Sequence, residues 1–160
     1  MTTVADLPDA PPLEVERWFN TDRPITLEAL RGQIVVLHAF QMLCPGCVVN
    51  AIPQAKRLHD LAGKLGGVTV LGIHTVFEHH AAMTPVSLEA FLHEYRIGFP
   101  VAVDRPSATG PIPHTMAAYA FQGTPSTVII DRQGRIVRKS FGSEDDLVLG
   151  LVLGSLFNAP

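Results

Sequence analysis

The sequence has little that would bind another macromolecule or cross-link the fold. Only two of its 160 residues are cysteines, and its net charge at pH 7 is -3. Its 12 lysines and arginines are scattered, so they provide no basic field to hold a phosphate backbone, and we do not expect nucleic acid as a partner. The cysteines are close together in sequence, and a disulfide between them would close too small a loop to stabilise a domain of this size.

Signals for export or membrane insertion are also missing. The first residues contain no cationic stretch followed by an apolar segment, so we expect neither a secretory signal nor an amino-terminal anchor and predict a cytoplasmic protein. The apolar segment 147–157 is well short of the roughly 20 residues that span a bilayer. We predict that it packs on the sheet as a helix, without a membrane span, in a monomer or weak homodimer.

The length and the apolar content of 47% predict one complete core. Residues 1–12 contain three prolines and little periodicity, so we predict a flexible leader there and a single domain over 13–160. Buried-strand patterns at 34–40 and 68–74 alternate with helical patterns. A hairpin over 127–141 follows, and the whole order predicts an α/β fold with helices flanking a sheet.

A Cys-Pro-Gly-Cys motif, residues 44–47, directly follows the first buried strand and opens a helix. Pro45 suits the first helical turn. The amide groups at a helix start stabilise an anion, so we expect Cys44 to ionise more readily than a free thiol and to act as the nucleophile. Cys47, one turn on, is placed to resolve a mixed disulfide. In a reducing compartment such a pair indicates redox exchange or metal binding.

Thr124 and Pro125 directly precede the hairpin. Proline has no N–H to donate to a strand ladder, so Pro125 marks a strand entry. From its position alone, a trans bond would be expected, because cis accounts for only about 5–6% of X-Pro bonds in folded proteins.

Together, the strand that leads into the cysteine motif, the helix that contains Pro53, the Thr124–Pro125 pair and the strand that follows Gly134 resemble the thioredoxin superfamily. Segments 18–32 and 74–95 are most similar to its TlpA and ResA branch, which is grouped with redoxin domains and related to AhpC/TSA. The likeness covers roughly residues 13–157.

The resemblance implies a thioredoxin-like fold with a central mixed sheet, an N-terminal strand extension and an insertion before the second main helix. It implies a cis Pro125 that faces Cys44, and a Thr124 backbone that pairs with an extended substrate. Pro45 and Gly46 complete the substrate-positioning set. The implied activity is thiol-disulfide oxidoreduction without a cofactor or resident metal. It would act on a disulfide-containing protein or a small thiol, with an electron donor that the sequence does not identify.

Three positions depart from the family pattern. Leu43 stands where a tryptophan usually precedes the first cysteine, and Asn50 stands where the TlpA-like branch has a buried glutamate. His38 aligns with the buried acid that helps to deprotonate the resolving thiol. We therefore keep two interpretations of His38: a proton relay beneath the active-site helix, or a neutral core histidine with one hydrogen bond.

Two other functions stay open. A soft-metal carrier, for example for copper, would use Cys44, Cys47 and a histidine such as His114. A peroxiredoxin-like thiol peroxidase is the other alternative, but this chain has Gln41 and Leu37 where peroxidatic cysteines are preceded by Thr or Ser and by Pro.

Overall fold

The computed structural model describes residues 7–160, in which six strands form one mixed sheet in the order β1-β4-β3-β2-β5-β6. The strands are β1 Val15–Phe19, β2 Ile34–Phe40, β3 Val68–His74, β4 Val101–Asp104, β5 Ser126–Ile130 and β6 Ile136–Phe141. The α-helices are α1 Ile52–Leu65, α2 Pro85–Glu94, α3 His114–Tyr119 and α4 Asp146–Phe157. A 3₁₀ turn, Glu28–Leu30, precedes β2, and a π-helical turn, Cys47–Ala51, leads into α1.

Strand β2 is the centre of the sheet, and all seven of its residues are buried. It runs parallel to β3, with Ile34 opposite Val68 and Phe40 opposite His74. On its other side it runs antiparallel to β5, where Ala39 lies opposite Ser126. The carboxyl end of β2 therefore lies beside the start of β5, and the two parts of the predicted site meet at one edge of the sheet.

Helices cover both faces of the sheet. Side chains of α1, α2 and α4 pack on one face, where Phe40 and Ile129 belong to the apolar clusters beneath them. Helix α3 and the 3₁₀ turn pack on the other face, around Leu37 and Leu71. The predicted α/β architecture with a flanked mixed sheet is confirmed. Strand β1 is the predicted N-terminal strand extension, and residues 75–84 form an insertion before α2. Within residues 7–160, no helix is long and apolar enough to cross a membrane.

Two helix starts differ from the sequence pattern. That pattern predicts Ser87 as the cap of α2, but the cap is Thr84, whose side chain accepts a hydrogen bond from the N–H of Ser87. For α4 it predicts Ser143, but Asp145 accepts from the first N–H groups of the helix. In both cases the capping side chain lies where the backbone first turns helical, and sequence alone locates that point only to within a few residues.

Part of the predicted leader, residues 1–6, lies outside the described residues. The remainder is hydrogen-bonded to the sheet. The N–H of Ile136 donates to the carbonyl of Pro8 at 2.8 Å, and the N–H of Ala10 donates to the carbonyl of Gly134 at 2.9 Å. The structure thus shows contacts for residues 8–10 that the sequence pattern does not predict, while the domain boundary at residue 13 stays a prediction.

Candidate active site

The two cysteines lie where strand β2 passes into helix α1. A short turn links the two elements, and the N–H of Cys44 donates to the carbonyl of Gln41 at 3.1 Å across it. Helical backbone begins at Pro45. An N–H in the first turn of a helix has no acceptor within the helix, so a proline, which has no N–H, fits there. The structure thus places the motif between a strand and a helix, as its sequence context predicts.

The first full turn of this helix is widened. The N–H of Ile52 donates to the carbonyl of Cys47, five residues back, rather than four. Pro53 follows at once, and a proline ring clashes with the carbonyl four residues before it. The sequence pattern predicts a kink at Pro53, and the structure shows this π-helical turn there.

The two sulfur atoms differ in accessibility. Both cysteines are free thiols; Cys44 is partly exposed and Cys47 is fully buried. The thiol of Cys44 donates to the carbonyl of Thr124 at 3.5 Å, and its sulfur accepts the backbone N–H of Cys47 at 3.3 Å. Of the two sulfurs, only that of Cys44 is therefore accessible from solvent.

The surroundings of Cys47 favour its protonated form. Burial is the largest cause, followed by a hydrogen bond with the Cys44 side chain, and together they raise the pKa of Cys47 to about 12. Hydrogen bonds from the Gln41 backbone and the Thr124 side chain act in the opposite direction, because they stabilise the thiolate. Cys47 is thus held as a protonated thiol near pH 7.

Pro125 lies against the cysteine motif. The peptide bond between Thr124 and Pro125 is cis. A methyl group added at Gly46 would lie 3.4 Å from Cδ of Pro125, an ordinary van der Waals contact, so the two chain segments lie side by side. The structure therefore brings together Cys44, Cys47 and the residues that we predict to position the substrate.

His38 lies on the sheet face that α1 covers. Val36 and Phe40, two residues to either side of it on β2, belong to apolar clusters beneath that helix. His38 is 3% exposed, and neither ring nitrogen has a hydrogen-bond partner within residues 7–160. Burial lowers the pKa of His38 to about 4, so its imidazole is neutral near pH 7. The predicted proton relay through His38 stays a prediction.

Two buried polar side chains that the sequence reasoning did not assign to the site hold the turn before Cys44. His74, the last residue of β3, accepts the N–H of Met42 on Nε2 at 3.1 Å, and burial lowers its pKa to about 4. Gln41 is 1% exposed and hydrogen bonds to both Thr124 and Phe77. The available signal in the sequence is a polar residue at position 41, directly after a strand that is apolar except for His38.

A buried carboxylate anchors the next elements at the same edge of the sheet. Asp104, at the end of β4, accepts the N–H groups of Thr115 and Met116 at 2.7 and 2.9 Å. It also accepts the hydroxyl of Thr75, next to His74, at 2.9 Å. Burial raises the pKa of Asp104, although these hydrogen bonds oppose that rise. Asp104 thereby ties the start of α3 and the start of the insertion to the sheet.

The histidine suggested for a metal site lies elsewhere. Nδ1 of His114 is 3.6 Å from a carboxylate oxygen of Glu14. Within residues 7–160, no group of three or more His, Cys, Asp or Glu side chains is arranged to hold a metal ion. The structure thus does not bring His114 together with Cys44 and Cys47 as a ligand set.

The fold and the paired cysteines define the class of thioredoxin-like proteins. The chain belongs to the AhpC/TSA family, whose model matches residues 8–139. This agrees with the resemblance to the thioredoxin superfamily that the sequence motifs indicate.

Solved structures support the same class. The chain is 50% identical to a crystallised thioredoxin-like superfamily protein, with a TM-score of 0.92, over 95% of this chain and 97% of that one. It is 48% identical to a thiol-disulfide isomerase from Corynebacterium glutamicum, with a TM-score of 0.89, over 94% of this chain and 98% of the other.

Curated relatives are more distant and longer. Protein DipZ of Mycobacterium tuberculosis is 29% identical over 152 residues, which cover 93% of this chain and 21% of DipZ. The thiol-disulfide oxidoreductase ResA of Bacillus cereus is 25% identical over 122 residues, which cover 76% of this chain and 62% of ResA. The chain thus spans about a fifth of the length of DipZ and less than two thirds of ResA.

Proposed function

We propose that this chain catalyses thiol-disulfide exchange through its Cys-Pro-Gly-Cys motif. The thiolate of Cys44 attacks one sulfur of a partner disulfide, and the partner's other sulfur leaves as a thiolate. Cys47 then loses its proton and attacks the sulfur of Cys44. The Cys44–Cys47 bond forms as the bond from Cys44 to the partner breaks, so the partner is reduced to two thiols and the motif is oxidised to a disulfide.

The observation that supports this proposal best is the unequal burial of two adjacent sulfurs. Cys44 is partly exposed beside Thr124 and Pro125, whereas Cys47 is fully buried. Exchange needs one thiol that a partner reaches and a second that reaches only the first. The names of ResA and of the Corynebacterium isomerase, which describe thiol-disulfide chemistry, add support from relatives.

The substrate that we propose is a disulfide in an extended protein segment or a small thiol compound. Leu43, beside Cys44, is 56% exposed and offers an apolar contact in place of the usual tryptophan. We propose that the physiological direction is reduction, which follows from the predicted cytoplasmic location. The electron donor would be a thiol or dithiol that reduces the Cys44–Cys47 disulfide.

Equilibration in glutathione buffers tests the proposal. The wild-type protein should interconvert between dithiol and disulfide as the ratio of reduced to oxidised glutathione changes, with mass spectrometry reporting the two forms. Cys47→Ser should stop at a mixed disulfide on Cys44, and Cys44→Ser should form no adduct with the partner. A wild-type pair that stays inert across all buffers would contradict the proposal.

The family assignment makes peroxide reduction the second candidate. A peroxidatic cysteine attacks a peroxide alone and is oxidised to a sulfenic acid, with release of water or an alcohol. Peroxide consumption that survives in Cys47→Ser with an external thiol, and disappears in Cys44→Ser, would favour this function. Consumption no faster in the wild type than in Cys44→Ser would exclude it.

A further inference from the structure

Phe141 is an exposed aromatic residue beside the cysteine site. It is the last residue of strand β6, and it is 57% exposed. Single exposed apolar side chains are common on protein surfaces, so the position of this ring decides whether it has a role. The exchange steps proposed above give it none.

The ring of Phe141 lies against the chain segment that contacts Cys44. A methyl group added at Gly123 would lie 3.1 Å from Cε2 and 3.3 Å from Cζ of Phe141, so part of the ring rests directly on the glycine. The next residue, Thr124, accepts the thiol of Cys44 on its carbonyl oxygen at 3.5 Å. The ring is thus in contact with the residue that precedes the Cys44 contact.

Hydrogen bonds fix the two segments that bring the ring there. The N–H of Gly142 donates to the carbonyl of Pro125 at 2.8 Å. The hydroxyl of Ser126, which lies opposite Phe141 in the sheet, donates to the carbonyl of Gly123 at 2.8 Å. Because both segments are held by the backbone, the exposed part of the ring is already in place before any partner binds.

The distance from the ring to the reacting sulfur suits an extended partner. Successive residues of an extended chain are about 3.3 Å apart. A residue one or two positions from a half-cystine bound at Cys44 therefore comes near enough for its side chain to contact Phe141. Leu43, directly before Cys44, is 56% exposed and adds a second apolar side chain near the same sulfur.

The segments that form the site contain no charged side chain. Residues 41–50, 120–128 and 140–143 include no Asp, Glu, Lys or Arg. Two charged residues that flank the last segment are engaged elsewhere: Lys139 donates to the carbonyl of Tyr119, and Glu144 accepts from Arg138. The carboxylates of a small disulfide such as oxidised glutathione would therefore find no cation in these segments, whereas an apolar segment would bind without desolvating a charge.

We infer that Phe141 is a specificity-determining residue, which contacts an apolar side chain one or two positions from the disulfide of an extended protein segment. The contact removes apolar surface of both partners from water, and an aromatic ring offers a large area for it. This inference rests on the proposed function. It narrows the substrate class to protein disulfides with apolar neighbours, in preference to small charged disulfides.

Single-turnover exchange with three disulfides tests the inference. Two are symmetric disulfides of a neutral peptide that carries either leucine or serine on both sides of its cysteine, and the third is oxidised glutathione. Acid quenching and mass spectrometry give the rate at which the reduced protein becomes its disulfide. Each rate is divided by the rate of the same disulfide with dithiothreitol, which removes differences in intrinsic reactivity.

We expect the wild type to react with the leucine peptide about tenfold faster than with the serine peptide, and with oxidised glutathione no faster than with the serine peptide. Phe141→Ser should slow the leucine peptide by about tenfold and change the serine peptide by less than about twofold. Phe141→Tyr, which keeps the ring, should retain the preference. Leu151→Ser is the matched control, since Leu151 is 76% exposed on α4, and it should leave all three rates unchanged.

The outcomes separate the inference from the proposed function. A wild type that oxidises with none of the three disulfides would contradict the proposed function. A wild type that reacts with both peptides at equal corrected rates, or fastest with oxidised glutathione, would overturn only the inference, and this result needs no variant to fold. Equal slowing of both peptides by Phe141→Ser would also overturn it, because the ring would then support the loop without contacting the substrate.

Discussion

The edge of the sheet that holds the cysteines differs from the side formed by α1 and α4. At the cysteine edge, buried polar side chains such as Gln41, His74 and Asp104 fix the loops through directed hydrogen bonds. On the α1–α4 side, most of the packing is apolar: Leu153 is 6% exposed, whereas Leu151 is 76% exposed. Hydrogen bonds join Gln54 and Arg57 of α1 to Asp146, the first residue of α4.

This difference shows which kind of interaction determines the structure of each region. Hydrogen bonds depend steeply on distance and angle, so a polar cluster fixes one arrangement of its chain segments. Apolar contacts depend mainly on buried area and volume, so they tolerate many arrangements of similar size. The proposed chemistry lies in the region with directed bonds, where a small displacement of a sulfur or of a hydrogen-bond donor changes the geometry of exchange.

The largest effect of a single substitution should come from Asp104→Ala. It would leave the hydroxyl of Thr75 and the N–H groups of Thr115 and Met116 without their acceptor, and each orphaned buried donor costs about 1–3 kcal/mol. We expect the free energy of unfolding to fall by about 4 kcal/mol, measured by urea denaturation. Asp104→Asn, which keeps one acceptor oxygen, should lose about half as much. A loss no larger than for exposed Asp22→Ala would show that this edge does not depend on directed bonds.

Acid should destabilise the protein to a comparable extent, because it acts on two buried histidines at once. The pKa values of His38 and His74 are lowered by burial to about 4, whereas an unfolded histidine titrates near 6.5. Below pH 6.5 the unfolded chain binds protons that the folded chain excludes, so stability is full above that pH and is lost as pH falls toward about 4. Each histidine should contribute on the order of 3 kcal/mol to this loss.

Urea denaturation across that pH range measures the loss. His74→Gln keeps an acceptor for Met42 and does not titrate, so its stability should fall less steeply with acid than that of the wild type. His38→Leu should flatten the curve similarly. If the free energy of unfolding falls with pH as steeply in both variants as in the wild type, groups other than these histidines dominate the loss of stability in acid.

A pair of leucines on α4 tests the apolar side. Leu153→Ala removes a buried side chain and should cost about 2.5 kcal/mol of unfolding free energy. Leu151→Ala, on the exposed face of the same helix, should change it by less than about 0.5 kcal/mol. Neither should alter the exchange rate of Cys44. Equal costs would show that α4 does not pack as the structure places it.

The smallest effect should come from Gly46→Ala. The added methyl group would lie 3.4 Å from Pro125, an ordinary contact that narrows the approach to Cys44. We expect exchange to slow by about twofold, or about 0.4 kcal/mol, with stability almost unchanged. Gly150→Ala, in α4, has open space around its added group and should stabilise by up to about 1 kcal/mol without changing exchange. Slower exchange in Gly150→Ala, together with unchanged exchange in Gly46→Ala, would contradict the site geometry.

Much of the fold follows from local sequence patterns. The apolar run of β2 predicts a strand covered on both faces, and all of its residues are buried. The spacing of the cysteines after that strand predicts their place at the helix start. Such features depend on neighbours in sequence, which is why the sequence alone reveals them.

The remainder depends on contacts between distant segments. Gln41 and Thr124 are 83 residues apart, and His74 reaches Met42 across 32 residues. No local pattern predicts which buried polar groups become partners, nor that His38 has none within residues 7–160. The polar residues of the site were thus recognised only in part, because their roles are set by tertiary pairing.

Strand β6 lies at the outer edge of the sheet, and residues 8–10 pair with the chain at its start. An uncovered outer strand offers its N–H and carbonyl groups to other chains and invites aggregation. Here the first part of that strand is occupied by the chain's own segment, and the charged side chains of Arg138 and Lys139 follow along it. The start of β6, at the sheet edge opposite β1, is thus protected from pairing with strands of other molecules.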